Sequence, residues 1–148
     1  MKKKILLICA AAATAAAVSV PAQAQFAKAE DAVKYRQSAY TLMANHMGRL
    51  AAMAKGERPF DAGAAQASAR LIESLGHLPW EAFPQGSTSK GLKAEPWADA
   101  ADFKERADRF KGEAAKLPEA AASLESLRKQ VGATGASCKN CHDKYRNI

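Results

Sequence analysis

Groups of prolines and glycines divide this chain into four stretches, each long enough for a helix. The breaks fall at Gly56 and Pro59, between Gly76 and Pro96, and at Pro118. Both residue types are unfavourable inside helices, so they mark the ends of elements. No stretch alternates apolar and polar residues with β-branched side chains, and strands are therefore not expected. The sequence predicts an all-α fold.

The first helix, expected from Lys28 to Lys55, is predicted to have a continuous buried stripe centred on Tyr40. With a rotation of about 100° per residue, the other members of this stripe lie within about 60° of Tyr40. They are Val33, Arg36, Gln37, Met43, Ala44, Met47, Ala51 and Ala54. We expect this stripe to face the protein core.

The other three helices are predicted from capping residues and periodic apolar positions. Asp61 and Asp99 are suitable N-caps for the second and third helices, and Pro118 is tolerated in the first turn of the fourth. The expected buried positions of the second helix are Ala64, Leu71, Ile72, Leu75 and Leu78. Those of the third helix are Phe103, Ala107, Phe110, Ala114 and Leu117, and those of the fourth are Leu124, Leu127, Val131, Thr134, Cys138, Cys141 and Tyr145. Four amphipathic helices with mostly short connections predict an antiparallel four-helix bundle.

The N-terminus has the pattern of a secretory signal. Three lysines precede an uncharged apolar run that ends at Val20, and small residues precede Gln25. We expect cleavage after Ala24, which leaves residues 25–148 as one domain in the periplasm, without a membrane association. A retained membrane anchor is the alternative, but the run is rich in alanine and shorter than the roughly 20 strongly apolar residues a spanning helix needs.

Charge and cysteine content limit the function further. Removal of residues 1–24 takes away three lysines and no acids, so the formal charge falls from +7 to +4. The remaining basic residues are interspersed with acids, which argues against nucleic-acid binding. Cys9 is lost with the signal, and the two cysteines that remain lie three residues apart. A disulfide would be the usual outcome for such a pair in an exported protein.

The sequence from Cys138 to His142, Cys-Lys-Asn-Cys-His, changes that expectation. It matches the attachment signature of c-type haem. Residues i, i+3 and i+4 share one face of a helix, so both sulfurs can reach the haem vinyl groups while the imidazole of His142 meets the iron. We therefore predict one covalent haem c, bonded to Cys138 and Cys141 and ligated by His142. The motif lies on the apolar stripe of the fourth helix, which places the haem in the bundle core.

A cysteine pair of this spacing also occurs in redox dithiols and in zinc sites. A redox dithiol of the thioredoxin type follows a strand and opens a helix, whereas this pair lies late in a helix. A zinc site needs two further ligands, for which His46 and His77 are the remaining candidates. We expect both histidines at the surface.

The ligand on the other side of the iron decides the function. Few residues follow His142, so that side must be supplied from upstream, and the first helix offers Tyr40, Met43 and Met47. A methionine ligand would make a low-spin electron carrier, whereas an open position would admit small gases.

The whole of residues 25–148 resembles cytochrome c′, the family of high-spin class II c-type cytochromes. The matching segments are Gln25-Phe26-Ala27-Lys28, Tyr35 to Tyr40, Leu78-Pro79-Trp80 with Phe83, Pro96-Trp97, and Gly135 to Asp143 with Tyr145-Arg146. The resemblance implies a five-coordinate haem whose open face is closed by Tyr40. It also implies that Arg36 and Gln37 contact the propionates, that Arg146 lies on the proximal side of the iron, and that Trp80 and Phe83 line the pocket.

We therefore expect a periplasmic haem c protein that binds NO or CO, passes single electrons to a periplasmic redox partner, and is not an enzyme. Peroxide cleavage is helped by a distal histidine, and no histidine lies on the Tyr40 stripe. A second ridge of the first helix carries Tyr35, Leu42, His46 and Met53. Apolar residues on that outer ridge predict a two-fold homodimer, as the resemblance also implies.

Overall fold

A computed structural model describes residues 25–93 and 95–147 of the protein. Its long helices are α1 (Ala29–Lys55), α2 (Ala62–Leu75), α3 (Ala100–Ala114) and α4 (Leu124–Tyr145). A 3₁₀ turn at Pro79–Ala82 and short helices at Glu95–Ala98 and Leu117–Ala120 lie in the connections. These ranges contain no strand, and a single β-bridge pairs Leu92 with Arg146. The predicted all-α four-helix bundle is confirmed, while the predicted signal peptide, 1–24, lies outside the described residues.

The long helices run antiparallel where they pack. The His46 Nδ1 lies 3.3 Å from Ser68 Oγ between α1 and α2, and the Arg128 side chain of α4 donates to Ala54 O at the far end of α1. Within the described ranges, no helix has both the length and the apolar character needed to cross a membrane.

Side-chain caps fix where three of the helices begin. Asp61 accepts from Ala64 N at 2.8 Å and Asp99 accepts from Asp102 N at 3.3 Å, so both predicted caps are present. The predicted start of the fourth helix at Pro118 is wrong. Ser123 caps α4 instead, by accepting from Ser126 N at 3.2 Å, and Pro118 lies in the short helix before it.

The buried face of α1 is rotated from the expected stripe. Ala32, Arg36, Ala39, Met43, Leu50 and Met53 are buried. Gln37 and Ala44 are exposed, and Tyr40 lies at the border of the face as a half-buried side chain. The stripe was centred on Tyr40, whereas α1 packs its small alanines inward, where helices approach most closely.

The core positions predicted for the third and fourth helices are buried or half-buried, whereas several of those predicted for α2 are exposed. Ala107, Phe110, Ala114 and Leu117 are buried, as are Leu127, Thr134 and Tyr145. On α2 the core is instead made by Ala65, Ser68, Ala69 and Ile72. Ala64 is exposed, Leu71 is 46% exposed, and Leu78, which follows the helix, is 36% exposed. Their predicted burial is therefore wrong, and two leucines are left on the outside of the bundle.

Candidate haem attachment site

The Cys-Lys-Asn-Cys-His motif occupies the last two turns of α4. Cys138 and Cys141 are half-buried and carry free thiols rather than a disulfide, and Cys138 packs against the core. His142 follows with an exposed side chain. The predicted placement of the motif late in a helix agrees with the structure, and the two cysteines lie towards the core, but His142 is more exposed than the predicted stripe implies.

The protonation of these groups suits thioether and iron chemistry better than thiol redox chemistry. Burial raises the pKa of the Cys138 and Cys141 thiols, whereas a reactive dithiol needs a lowered pKa. Partial desolvation and the nearby Arg146 charge lower the pKa of His142, which favours the neutral imidazole that binds metals. Among residues 25–93 and 95–147, no three His, Cys, Asp or Glu side chains are arranged to hold a metal ion, so the zinc alternative has no ligand set there.

Tyr40 of α1 lies close to the motif on the neighbouring helix. Burial raises the pKa of its phenol, the Cys141 and Cys138 thiols raise it further, and the Arg36 charge opposes them. The phenol is therefore protonated at neutral pH. Its ring packs edge-on against Trp80, with centroids 6.3 Å apart.

An aromatic cluster continues from Tyr40 to the end of α4. The ring of Trp80 lies 6.0 Å from Phe103, and the Phe103 ring lies 4.9 Å from Phe83 and 5.1 Å from Tyr145. The Trp80 indole donates to Gly76 O at 2.6 Å, which fixes its orientation. The predicted pocket residues Trp80 and Phe83 are thus brought together with Tyr40.

Sequence reasoning missed Phe103 and Tyr145 as site residues. Both were assigned to the core, and Tyr145 is 2% exposed. The sequence did contain a signal for both residues, because Phe103 shares a helical face with Phe110 and Tyr145 shares one with Cys141.

Arg36 is buried, as predicted, and its guanidinium donates to the segment that follows Pro79. Its Nη1 donates to Ala82 O at 2.7 Å and to Ser87 Oγ at 2.8 Å, and its Nη2 donates to Ser87 O. The guanidinium also lies over the Phe83 ring, 4.5 Å from the centroid. Neutral acceptors of the loop therefore satisfy the buried guanidinium without an anion. Arg36 forms no ion pair within the described ranges.

The other two charged or polar site candidates are exposed. Gln37 lies on the solvent side of α1 rather than in a buried stripe. Arg146 follows the last residue of α4 in an extended conformation, with φ −112° and ψ 131°, so it does not continue the helical face that carries His142. Its backbone N–H still donates to His142 O at 3.0 Å, and its charge acts on the imidazole.

A polar network that the sequence did not reveal joins α3 to the motif. Asp102 accepts from Arg106, Lys144 and Tyr145, and Arg106 also donates to Asn140. These hydrogen bonds hold the pKa of Asp102 well below its usual range. Burial and the bond to Asp102 raise the pKa of Tyr145 to about 12.

These features fit a covalent haem c. Two free thiols three residues apart share a helical face, a neutral imidazole follows them, and an aromatic cluster provides an apolar surface for a porphyrin. Cys138, Cys141 and His142 would hold the group, and the haem would supply an iron centre for ligand binding and one-electron chemistry.

Comparisons with known proteins agree with this arrangement. The family model for cytochrome C′ matches residues 31–146. The chain is 48% identical over 124 residues to cytochrome c′ from Alcaligenes xylosoxydans xylosoxydans, covering 82% of this chain and 98% of that protein. It is similar to the crystal structure of cytochrome c′ from Rubrivivax gelatinosus, with a TM-score of 0.80 at 44% identity, over 83% of this chain and 100% of that one. A nitric oxide complex of a mutant cytochrome c prime from Alcaligenes xylosoxidans matches with a TM-score of 0.79 at 47% identity, over 84% and 99% of the two chains.

Proposed function

The chain belongs to the cytochrome c′ family, which implies a covalently attached haem c, and we propose that it is an exported protein whose open iron binds NO or CO. In this proposal Cys138 and Cys141 carry the thioethers and His142 is the protein ligand of the iron. Support for a gas ligand comes from the relative solved as a nitric oxide complex, which shares nearly half of its residues with this chain.

The proposal depends mainly on the position of Tyr40, the side chain of α1 that lies beside the attachment motif. Tyr40 presents a phenol that burial keeps protonated, and a neutral phenol is a poor ligand for iron. Its ring is packed against Trp80 rather than held by a hydrogen bond of its own in the described residues. Tyr40 therefore acts as a movable cover of the open iron face, with Trp80 and Phe83 beside it.

Charged residues around the site have separate roles in the proposal. Arg36 uses three donor contacts on the loop and retains further N–H groups that can reach a haem propionate. Gln37, one residue further along α1, contacts a propionate from the solvent side. Arg146 lies on the proximal side, where its charge keeps His142 neutral.

The wider role follows from the same site. We propose single-electron exchange with a periplasmic redox partner, because one haem iron stores one electron. We also propose that the protein is not an enzyme, since among the described residues no histidine belongs to the aromatic cluster of Tyr40, Trp80 and Phe103. Export by a signal peptide cleaved after Ala24 would place this role in the periplasm.

A second function rests on Met43 and Met47. Met43 is 5% exposed in the core, and Met47 packs against the same cluster as Cys138. If either sulfur ligated the iron, the protein would be a low-spin electron carrier without a gas site.

An optical spectrum of the purified ferrous protein separates these functions. The gas-binding proposal expects a high-spin spectrum that changes on addition of CO, and expects Met43→Leu and Met47→Leu to leave it high-spin. A low-spin spectrum in the wild type that becomes high-spin when one methionine is replaced would establish the electron carrier.

We also propose a homodimer through the outer face of α1 and α2. Leu42 is 50% exposed, and the antiparallel register set by His46 and Ser68 brings it beside Leu71, which is 46% exposed. Tyr35 lies on the same side of α1. Met53, predicted for this ridge, is instead buried in the core, so the exposed leucine of α2 takes its place in the proposed surface.

A further inference from the structure

We propose that Arg106 is a positioning residue that fixes the turn of α4 carrying Cys141 and His142. The inference rests on the proposed function, because it takes His142 as the iron ligand. It concerns how that ligand is oriented, which the gas-binding proposal leaves open.

The guanidinium of Arg106 bridges α3 to the middle of the attachment motif. Its Nη1 donates to the backbone oxygen of Asn140 at 2.9 Å and also to the Asn140 side-chain oxygen. On the other edge, Nε and Nη2 donate to the two oxygens of Asp102 at 2.7 and 3.1 Å. A guanidinium held on both edges cannot rotate, so Asn140 is held at a fixed distance from α3.

The same carboxylate holds the motif from its other end. Lys144 Nζ donates to Asp102 at 3.0 Å and to Asp99 at 2.6 Å, and the Tyr145 hydroxyl donates to Asp102. The last turn of α4 is therefore hydrogen-bonded to α3 at position 140 and at positions 144–145. Cys141 and His142 lie between these two points of attachment.

This placement matters because α4 ends at Tyr145, and terminal helical turns fray. An iron ligand carried by such a turn would otherwise vary in orientation. Neighbouring groups that orient a metal ligand tune the strength of its bond and the potential of the metal. Arg106 would act on His142 through the turn to which Asn140 belongs, and its hydrogen bonds in the described residues go only to Asp102 and Asn140.

Three variants distinguish the effect of the Arg106 hydrogen bonds from the effect of its charge and from a general loss of stability. Arg106→Gln removes both the charge and the bridge. Arg106→Lys keeps the charge, but its single nitrogen lacks the planar fork with which Nε and Nη2 of Arg106 bond Asp102 while Nη1 bonds Asn140. Arg109→Gln is the matched control, because Arg109 forms the same type of i−4 ion pair, with Glu105 at 3.0 Å, and the described contacts include no hydrogen bond from it to α4.

The holoprotein variants would be compared by reduction potential and by the iron–histidine stretching band in resonance Raman spectra. We expect both Arg106 variants to shift the potential and to shift or broaden the band, with Arg109→Gln at wild-type values. Wild-type values in Arg106→Lys would reduce the role of Arg106 to its charge and overturn the inference. Equal shifts in Arg109→Gln would overturn it as well.

Failure of the gas-binding proposal is distinguishable from failure of the inference about Arg106. The former would appear as a low-spin spectrum of the wild-type protein, and the reduction potentials of the variants would still test the role of Arg106. Hydrogen exchange of the amides from Asn140 to Tyr145 gives a third readout, and we expect faster exchange in both Arg106 variants. Unchanged exchange rates in both Arg106 variants would contradict the proposal that Arg106 holds this turn in place.

Discussion

The Tyr145 hydroxyl donates a hydrogen bond to Asp102, which ties the last turn of α4 to the first turn of α3. Arg106 and Lys144 donate to the same carboxylate, and together these bonds hold the pKa of Asp102 well below its usual range. A carboxyl whose pKa is lowered by folding stabilises the folded state when it is ionised, and this contribution is lost on acidification.

Asp102→Asn should therefore lower the free energy of unfolding at neutral pH and have less effect in acid. The stabilisation is present above the ordinary aspartate pKa of about 3.9 and is lost as the pH falls further towards the lowered value. Urea unfolding of both proteins between neutral pH and about pH 2 should show the two stability curves converging below about pH 4. Curves that stay parallel over this range would show that the ionised carboxylate of Asp102 does not stabilise the fold.

Covalent attachment predicts the behaviour of the pigment on extraction. The double variant Cys138→Ser and Cys141→Ser removes both thioethers, so its haem should be extracted by acidified acetone, whereas the wild-type haem stays with the protein. The measurement is the absorbance of the extracted and protein fractions. Pigment that stays with the double variant would show that the thioether assignment is wrong.

Tyr40→Ala should increase the affinity for CO and the rate of its binding. The change removes a ring that must move aside, with loss of its packing against Trp80, before a ligand reaches the iron. Stopped-flow mixing of the ferrous protein with CO measures both quantities. Tyr35→Ala is the control, because Tyr35 packs on Phe26 with centroids 5.2 Å apart. Equal acceleration in the two variants would contradict a gate at position 40.

Leu42→Glu should convert the proposed dimer into a monomer. A charge at the centre of an apolar interface must be desolvated without a partner. Sedimentation at micromolar concentration measures the mass, and Ala133→Glu, at an exposed position of α4, should leave the dimer intact. A wild-type protein that sediments only as a monomer would exclude the interface.

Arg36→Met should destabilise the protein by about 3 kcal/mol, because it leaves buried loop oxygens without donors. Ser87→Ala removes only one of the three acceptors and should cost about 1 kcal/mol. Both values come from urea unfolding of the holoprotein. Similar losses in the two variants would mean that the loop carbonyls find other donors when Arg36 is absent.

Features that depend on local sequence were predicted well. The caps Asp61 and Asp99 act on donors three residues away, and the shared face of Cys138 and Cys141 follows from helical spacing alone. At the start of α4 two local signals competed. The hydroxyl of Ser123 fixes the start of that helix, while Pro118 fits the first turn of a separate short helix.

Features that depend on how helices pack could not be predicted from one helix at a time. Leu71 is left outside because alanines of α2 form the core contacts in its place. The partner of Arg36 is a loop serine about 50 residues away, for which the sequence contains no signal. The Arg106 contact with Asn140 also joins distant segments, α3 and α4.

The neutral surroundings of Arg36 leave its charge uncancelled inside the fold. Carbonyl and hydroxyl dipoles solvate the guanidinium, yet a dipole does not remove a net charge as a carboxylate would. The interior near Phe83 and Tyr40 therefore has a standing positive electrostatic potential. Such a potential attracts an anionic group, so the proposed contact of Arg36 with a haem propionate would supply the negative charge that the protein itself does not place there.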